Sequence, residues 1–251
     1  MLEPVDLVHL DRVDSTNEEA RRRLAAGLIH RPTAIVAREQ TAGRGTRGRT
    51  WDSPPDAGLY LSLVLPGNRP PLAVPGGDHA AGVTAGPATD PAPGPPLQLV
   101  HTLAAGVAAA EAVSECFGVP VRLKPINDLL VGEAKLGGIL VETTVREGRI
   151  ASMVVGIGIN LRGSDRRVRP DGLEATTIER ERPRSGGRDH GSAGVDAAEE
   201  RLFVERLIDG LLRWAGRTVT EGEVTVGPAW DAWAIDGAVR PTAGIGRSPV
   251  G

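Results

Sequence analysis

The stretch KPINDLLVGEAKLGGILVE, Lys124 to Glu142, and the run that follows it decide the fold. Within it Leu129–Val131 is a short apolar run of strand length, preceded by another at Val119–Leu123, so the Lys-Pro-Ile-Asn-Asp segment sits at a turn between two strands. Ile139–Val145, a charged turn from Arg146 to Arg149 and the run Ile150–Asn160 then form a hairpin pattern. A hairpin forces antiparallel pairing on at least part of the sheet.

Working outward, Val5–Val13, Thr33–Arg38 and Leu59–Leu65 (LYLSLVL) read as further strands. Ser15 and Thr16 stand three residues before Glu18 and Glu19, a double capping-box signal that opens a helix to about Ala26. Leu99, Leu103, Val107, Ala110, Val113 and Phe117 mark an amphipathic helix, and Ala197–Trp214 another. Between these elements lie two stretches rich in Pro, Gly or Arg, about 66–96 and 162–196, which read as loop inserts of low order. The fold class predicted is α+β: a mixed, largely antiparallel sheet packed with helices. Residues 1–216 would form the main domain, and 217–251 a short tail with many glycines and little strand alternation.

Composition narrows the function. The chain has 251 residues, a formal net charge of −3 and a sequence pI near 6.0, which speaks against broad electrostatic binding of nucleic acid. Aromatics make up only 3%, so the core must be built from Ala, Val, Leu and Ile. The N-terminus lacks the apolar region of a signal peptide, and Leu97–Phe117 carries His101, Glu111 and Glu115, so no membrane partner is expected and the location is cytoplasmic. The single cysteine, Cys116, lies in an apolar helical pattern and reads as a buried, inert thiol.

Of 29 basic residues only two are lysine, Lys124 and Lys135, and both fall within the opening stretch. Chance is the bland explanation. The sharper one is that a chain pressed toward arginine keeps lysine where a compact point charge is needed and a flat guanidinium fork fails. Lys135 precedes Gly137-Gly138 and a strand, so its ammonium and open backbone face the same ligand. Asn127-Asp128 is an ordinary turn pair or a ribose or metal contact. The loop GRGTRGRTW, Gly43 to Trp51, places Arg44, Arg47 and Arg49 among three glycines, a composition suited to wrapping a phosphate or carboxylate, or to a flexible basic loop. It is not a P-loop, since no Gly-Lys-Ser/Thr follows. Ser15-Thr16-Asn17 is a helix cap or a set of ligand donors. GIGIN, Gly156 to Asn160, lacks the third glycine and the helix of a dinucleotide fingerprint. The histidines show no metal-ligand spacing, and no Ser-His-Asp set stands out.

DSTN (Asp14–Asn17), Gln40 through GRGTRGRTW, LYLSLVL, NDLLV with KLGGILVE, VVGIGIN (Val154–Asn160) and, more loosely, LEATTI (Leu173–Ile178) follow one another as in the biotin–protein ligases. The chain closely resembles that family over about residues 9–65 and 97–178. The resemblance implies a fold related to class II aminoacyl-tRNA synthetases and lipoate ligases. It implies synthesis of biotinyl-5'-AMP from biotin and ATP, with Mg²⁺ carried by the ATP phosphates and no metal ligands from the protein. Biotin would then pass to a lysine of a biotin carboxyl carrier protein. The resemblance places Ser15, Thr16, Asn17, Gln40, Arg44, Gly45, Thr46, Lys135 and Gly138 around biotin. It places Arg47, Arg49, Trp51, Asn127, Asp128 and Asn160 on the ATP side, and makes Lys135, Arg44 and Arg49 catalytic.

The chain departs from the family pattern at three points. Lys124-Pro125-Ile126-Asn127-Asp128 replaces Lys-Trp-Pro-Asn-Asp, which changes the packing beneath the turn. Thr46 stands where arginine is common, which implies a looser grip on the adenylate. The tail is shorter than the family's small C-terminal barrel, which reads as truncated or replaced. Ser15 lies too near Met1 for a DNA-binding domain ahead of it, so no repressor role and no nucleic-acid partner are expected, in a monomer or homodimer. The alternatives are a lipoate or other acyl ligase on the same fold and a biotin binder without turnover.

Overall fold

The computed structural model describes residues 4–67, 97–146, 149–163, 174–183, 194–221 and 223–238. Seven strands form one sheet: β1 (Asp6–Val13), β2 (Thr33–Gln40), β3 (Gly58–Pro66), β4 (Arg122–Lys124), β5 (Asp128–Val131), β6 (Ala134–Arg146) and β7 (Arg149–Asn160). Their spatial order is β1-β2-β3-β7-β6-β5-β4, with β1 parallel to β2 and the other pairs antiparallel. The α+β expectation holds, and the β6–β7 hairpin lies near the middle of the sheet. β6 starts at Ala134, earlier than the apolar run at Ile139 suggested, and β4 starts at Arg122, later than Val119.

Alternation along β6 and β7 divides the side chains between two faces. Ile139, Val141, Val155, Ile157 and Ile159 join the main core with α2 (Leu97–Phe117) and α4 (Ala197–Glu221). Val154 and Val64, of the opposite parity, join Ile35 in a smaller cluster under Ala20 of α1 (Thr16–Ala25). The helix side is closed by long apolar packing. Among the described residues α1 packs against β2, β3 and β7 on the other side, and the site lies beside it.

Three expectations at the periphery change. A boundary at 216 falls inside α4, which runs on to Glu221, and the tail contributes α5 (Glu223–Trp233). Trp230 of α5 is fully buried, and the Ile235 N–H donates to the Leu123 carbonyl at 3.0 Å, so this part of the tail belongs to the core. Val226, Trp230 and Trp233 follow helical spacing, a signal masked in the sequence by the surrounding glycines. The Ser15–Glu18 and Thr16–Glu19 boxes do not form. Ser15 has extended backbone at the cap position but its hydroxyl caps nothing, and Glu19 turns to Arg22 and Arg23 instead. Cys116 is half-buried rather than buried, and burial raises its thiol pKa.

The insert expected at 66–96 lies almost wholly outside the described residues, as do 164–173 and 184–193 of the second insert. The stems of the second are tied down. The Glu179 carboxylate, in the short helix α3 (Ile178–Glu181), accepts the Gly163 N–H at 3.2 Å and the Val195 N–H at 3.1 Å. Arg162 donates to the Val195 carbonyl and pairs with Glu200 at 2.5 Å.

His101 of α2 is buried, and burial pushes its imidazole from 6.5 down to about 4. Below pH 6.5 the unfolded chain takes up a proton there that the native chain refuses until about pH 4. Stability from this group is therefore complete above pH 6.5, declines as pH falls through the window, and levels off below it. The loss should reach about 3 kcal/mol. Urea unfolding of His101→Leu across this range should show a correspondingly shallower acid decline; an unchanged pH slope would contradict the account.

Candidate active site

The cleft is a consequence of missing side chains. On the α1 side of the sheet, Gly158 of β7 faces Gly138 of β6, and Gly156 faces Leu140 on one flank and Ser62 of β3 on the other. A Cβ at Gly156 would collide with the Asn17 amide, and one at Gly158 would lie 2.6 Å from the Trp51 indole. A Cβ at Gly138 would meet the Trp51 ring at 3.2 Å and Lys135 Cε at 3.6 Å. The three glycines let the start of α1, the glycine-arginine loop and Lys135 converge on bare backbone. The cleft between them has a cavity volume of about 50 Å³ and opens to solvent.

One wall is a chain of polar side chains whose directions are set by its ends. Gln40 Nε2 donates to Ser53 Oγ at 2.8 Å, and the Ser53 hydroxyl reaches the Trp51 carbonyl at 3.2 Å. The Gln40 amide oxygen is thereby turned to α1, where it accepts the Thr16 N–H at 2.9 Å and the Thr16 hydroxyl at 3.2 Å. The buried Ser62 hydroxyl lies 2.8 Å from Thr16 Oγ1 and 2.6 Å from Asn17 Oδ1. Asn17 Nδ2 donates to Glu142 at 2.8 Å and toward the Leu140 carbonyl at 3.4 Å. Ser15 is buried beside this wall, its N–H donating to Asp14 at 2.7 Å. The hydrogen bonds from Arg22 hold the Asp14 carboxyl at about 2, so it stays charged at the head of the helix.

The floor carries the charge. Lys135 is only 4% exposed; its Nζ lies 2.5 Å from Asp128 and 5.5 Å from the Trp51 ring centre. A buried ammonium needs such a counter-charge, and an ammonium over an indole gains further from the ring quadrupole. Its backbone is gripped as well: the Lys135 N–H donates to the Glu174 carbonyl at 2.7 Å, and the Thr176 N–H to the Lys135 carbonyl at 2.9 Å.

The roof is the loop, which closes on itself through Gly45 N–H to Arg49 carbonyl at 2.7 Å and Trp51 N–H to Gly43 carbonyl at 2.8 Å. The Thr46–Gly48 turn at its tip has Arg47 and Gly48 at positive φ, 59° and 72°. Arg44 lies at the cleft edge, 2.5 Å from Glu18 and 3.2 Å from Glu142.

The structure brings the expected biotin set, Ser15, Thr16, Asn17, Gln40, Arg44, Gly45, Thr46, Lys135 and Gly138, into this one cleft, together with Arg49, Trp51 and Asn127 of the ATP set. Arg47 and Asp128 border an adjoining groove that shares Thr46, Arg49 and Asn127 with the cleft and receives Gln98 and Thr102 from α2. Asn127 Nδ2 donates to the Ile139 carbonyl at 2.9 Å, which ties the turn to β6. Asn160 lines neither space: its amide donates to the Thr176 carbonyl at 3.0 Å and toward that of Lys135 at 3.4 Å. Lys124, the other lysine, lies away from both, near Arg122 and Asp236. Sequence reasoning missed Ser53, Ser62 and Glu142, which support the walls. The signal available was a lone polar residue within an apolar strand run, as in LYLSLVL and GILVE.

The seven-stranded mixed sheet and its helices recur in solved structures. The biotin protein ligase of Aquifex aeolicus in complex with biotin and ATP superposes with a TM-score of 0.63 at 23% identity, over 92% of this chain and 78% of that one. The Leishmania major biotin protein ligase in complex with biotin gives 0.63 at 24% identity, over 98% and 88%. Residues 9–160 match the model of the biotin/lipoate A/B protein ligase family, and the chain belongs to that family. It is 31% identical over 229 residues to the biotin–[acetyl-CoA-carboxylase] ligase of Paracoccus denitrificans, covering 90% of this chain and 79% of the relative. It is 36% identical over 149 residues to the bifunctional ligase/repressor BirA of Escherichia coli, covering 59% of this chain and 38% of that protein. The chain thus spans about two-fifths to one-half of the length of the bifunctional relatives it matches.

Gly158→Ala should push the Trp51 indole off the hairpin and cost about 1–3 kcal/mol, read by urea unfolding with a change in near-ultraviolet circular dichroism. Gly216→Ala is the control: its Cβ meets nothing within 4 Å in α4, so it should be neutral or stabilising by up to about 1 kcal/mol. Equal effects of the two would refute the close-approach argument.

Proposed function

We propose that this chain is an ATP-dependent biotin–protein ligase. It makes biotinyl-5'-AMP and then transfers biotin to a lysine of a biotin carboxyl carrier protein. The observation that carries the reading is the buried Lys135 ammonium on the floor of one cleft, with Arg44 and Arg49 above it and the Ser15–Asn17 and Gln40 wall beside it.

In the first step a biotin carboxylate oxygen attacks the α-phosphorus of ATP. The bond to the bridging oxygen breaks, and pyrophosphate leaves with its electron pair. Two anions must meet, so cations have to offset their repulsion as charge builds on the phosphoryl oxygens. Lys135 suits this role because it is already desolvated and positioned by Asp128, the Trp51 face and two backbone hydrogen bonds. Arg49 and Thr46, shared by the cleft and the adjoining groove, lie where the two substrates would meet. In the second step the carrier's lysine amine attacks the acyl carbon, the C–O bond to AMP breaks, and the amine loses its proton. The mixed anhydride is labile in water, and the loop with its Arg47-Gly48 turn is the part that would cover it.

The polar wall fits a cyclic urea. Asn17 Oδ1 and the Ser15 hydroxyl stand at the cleft, offering an acceptor and a donor to neighbouring ring N–H and C=O groups. Magnesium in this reading travels on the nucleotide phosphates, in keeping with its preference for substrate oxygens and water. Among the described residues no set of three or more His, Cys, Asp or Glu side chains is arranged to hold a metal ion, and no helix is long and apolar enough to cross a membrane.

The direct test is biotin-dependent ATP–pyrophosphate exchange by the purified chain, followed by an avidin blot after adding a biotin-carrier domain. Exchange supported by lipoate but not by biotin would refute the reading. Lys135→Arg should lower exchange by about a hundredfold or more, because the pocket between Trp51 and Asp128 fits a point charge and not a planar fork; near-normal pyrophosphate release in that variant would remove Lys135 from its role.

A further inference from the structure

Glu142 borders neither the cleft nor the groove, yet it touches two residues that do. On β6, opposite Val154, it stands on the same sheet face as Gly138 and Leu140. Its Oε2 accepts Asn17 Nδ2 at 2.8 Å, and its Oε1 lies 3.2 Å from Arg44 Nη1. One carboxylate thus holds the start of α1 and the arginine loop, two elements separated by the whole of β2.

The Asn17 contact is the one with consequences for binding. Asn17 is buried, and its two amide ends differ in function: the NH₂ only donates and the oxygen only accepts. An ionised carboxylate is acceptor-only, so beside Glu142 the NH₂ must point to β6 and the oxygen must turn to Ser62 and the cleft. With the amide reversed, its oxygen would face a carboxylate and its NH₂ the hydroxyl of Ser62. The Arg44 contact matters in a second way. Glu142 shares that guanidinium with Glu18 at 2.5 Å, which docks the loop across the mouth of the cleft. Exposed ion pairs are individually weak, whereas a charge-assisted hydrogen bond to a buried amide is not.

We infer that Glu142 is a positioning residue for biotin, acting through Asn17 and Arg44 to fix the acceptor that the cleft offers to a ureido N–H. This rests on the functional reading above. Glu142→Gln keeps an oxygen for the Asn17 NH₂ but loses the charge that Arg44 pairs with. Glu142→Ala loses both.

The two variants and the parent chain are compared in biotin-dependent pyrophosphate exchange at saturating ATP, with thermal unfolding measured alongside. Glu142→Ala should raise the KM for biotin about tenfold or more with kcat within about twofold of the parent. Glu142→Gln should raise KM by no more than about threefold, as one acceptor replaces another. A biotin KM within twofold of the parent in Glu142→Ala, equal KM values in the two variants, or a fall in kcat at constant KM would each overturn the inference. If Glu142→Ala does not fold, Glu142→Gln against Glu142→Leu, of similar length but without an acceptor, gives the same comparison. A parent chain inactive with biotin would instead sink the functional reading itself.

Discussion

The period-two alternation of β7 governs this molecule, because it sends isoleucine and valine to one side of the sheet and glycine to the other. The helix side gains a continuous apolar core, while the α1 side is left with backbone at positions 138, 156 and 158, where every added Cβ would crowd Asn17 or Trp51. The same residues therefore stabilise the sheet and excavate the cleft. A one-residue slip of β7 would exchange the two sets, placing glycine in the core and isoleucine in the site. The site's position is in this sense inseparable from the register of the central hairpin.

Electrostatics complete what the alternation begins. Lys135 is held from four directions, by Asp128, the Trp51 ring, and backbone bonds to Glu174 and Thr176. Burying an ammonium costs several kcal/mol unless it is paired, and the pairing groups come from β5, the loop and the segment before α3. The cleft is thus assembled from distant pieces of chain, each of which also secures another.

Much of this was legible in the chain. The hairpin, the main helices and the convergence of Ser15–Asn17, Gln40, the arginine loop and Lys135 follow from patterns whose order is specific. The bonds that Asn160 makes to the carbonyls of Lys135 and Thr176 could not be read in advance, because they depend on pairing that no local pattern displays. Glu142 and Ser62 were overlooked for a different reason. Each is a lone polar residue in an apolar run at the same parity as the glycines, a signal that becomes meaningful only once the register is known. Helix α5 was hidden by glycine content, although Val226, Trp230 and Trp233 carry its spacing. The cap at Ser15 was over-read, since its hydroxyl borders the cleft and leaves the helix end uncapped.

The Glu179 carboxylate gathers Gly163 and Val195 at one point, and Asn160 anchors the strand that leads there. The backbone bonds that grip Lys135 come from Glu174 and Thr176, in the same short segment that leads into Glu179, so the pinned stem and the floor of the cleft share one piece of chain. Loosening that carboxylate's hold on Gly163 or Val195 would therefore be felt at the ammonium, although neither residue borders the cleft.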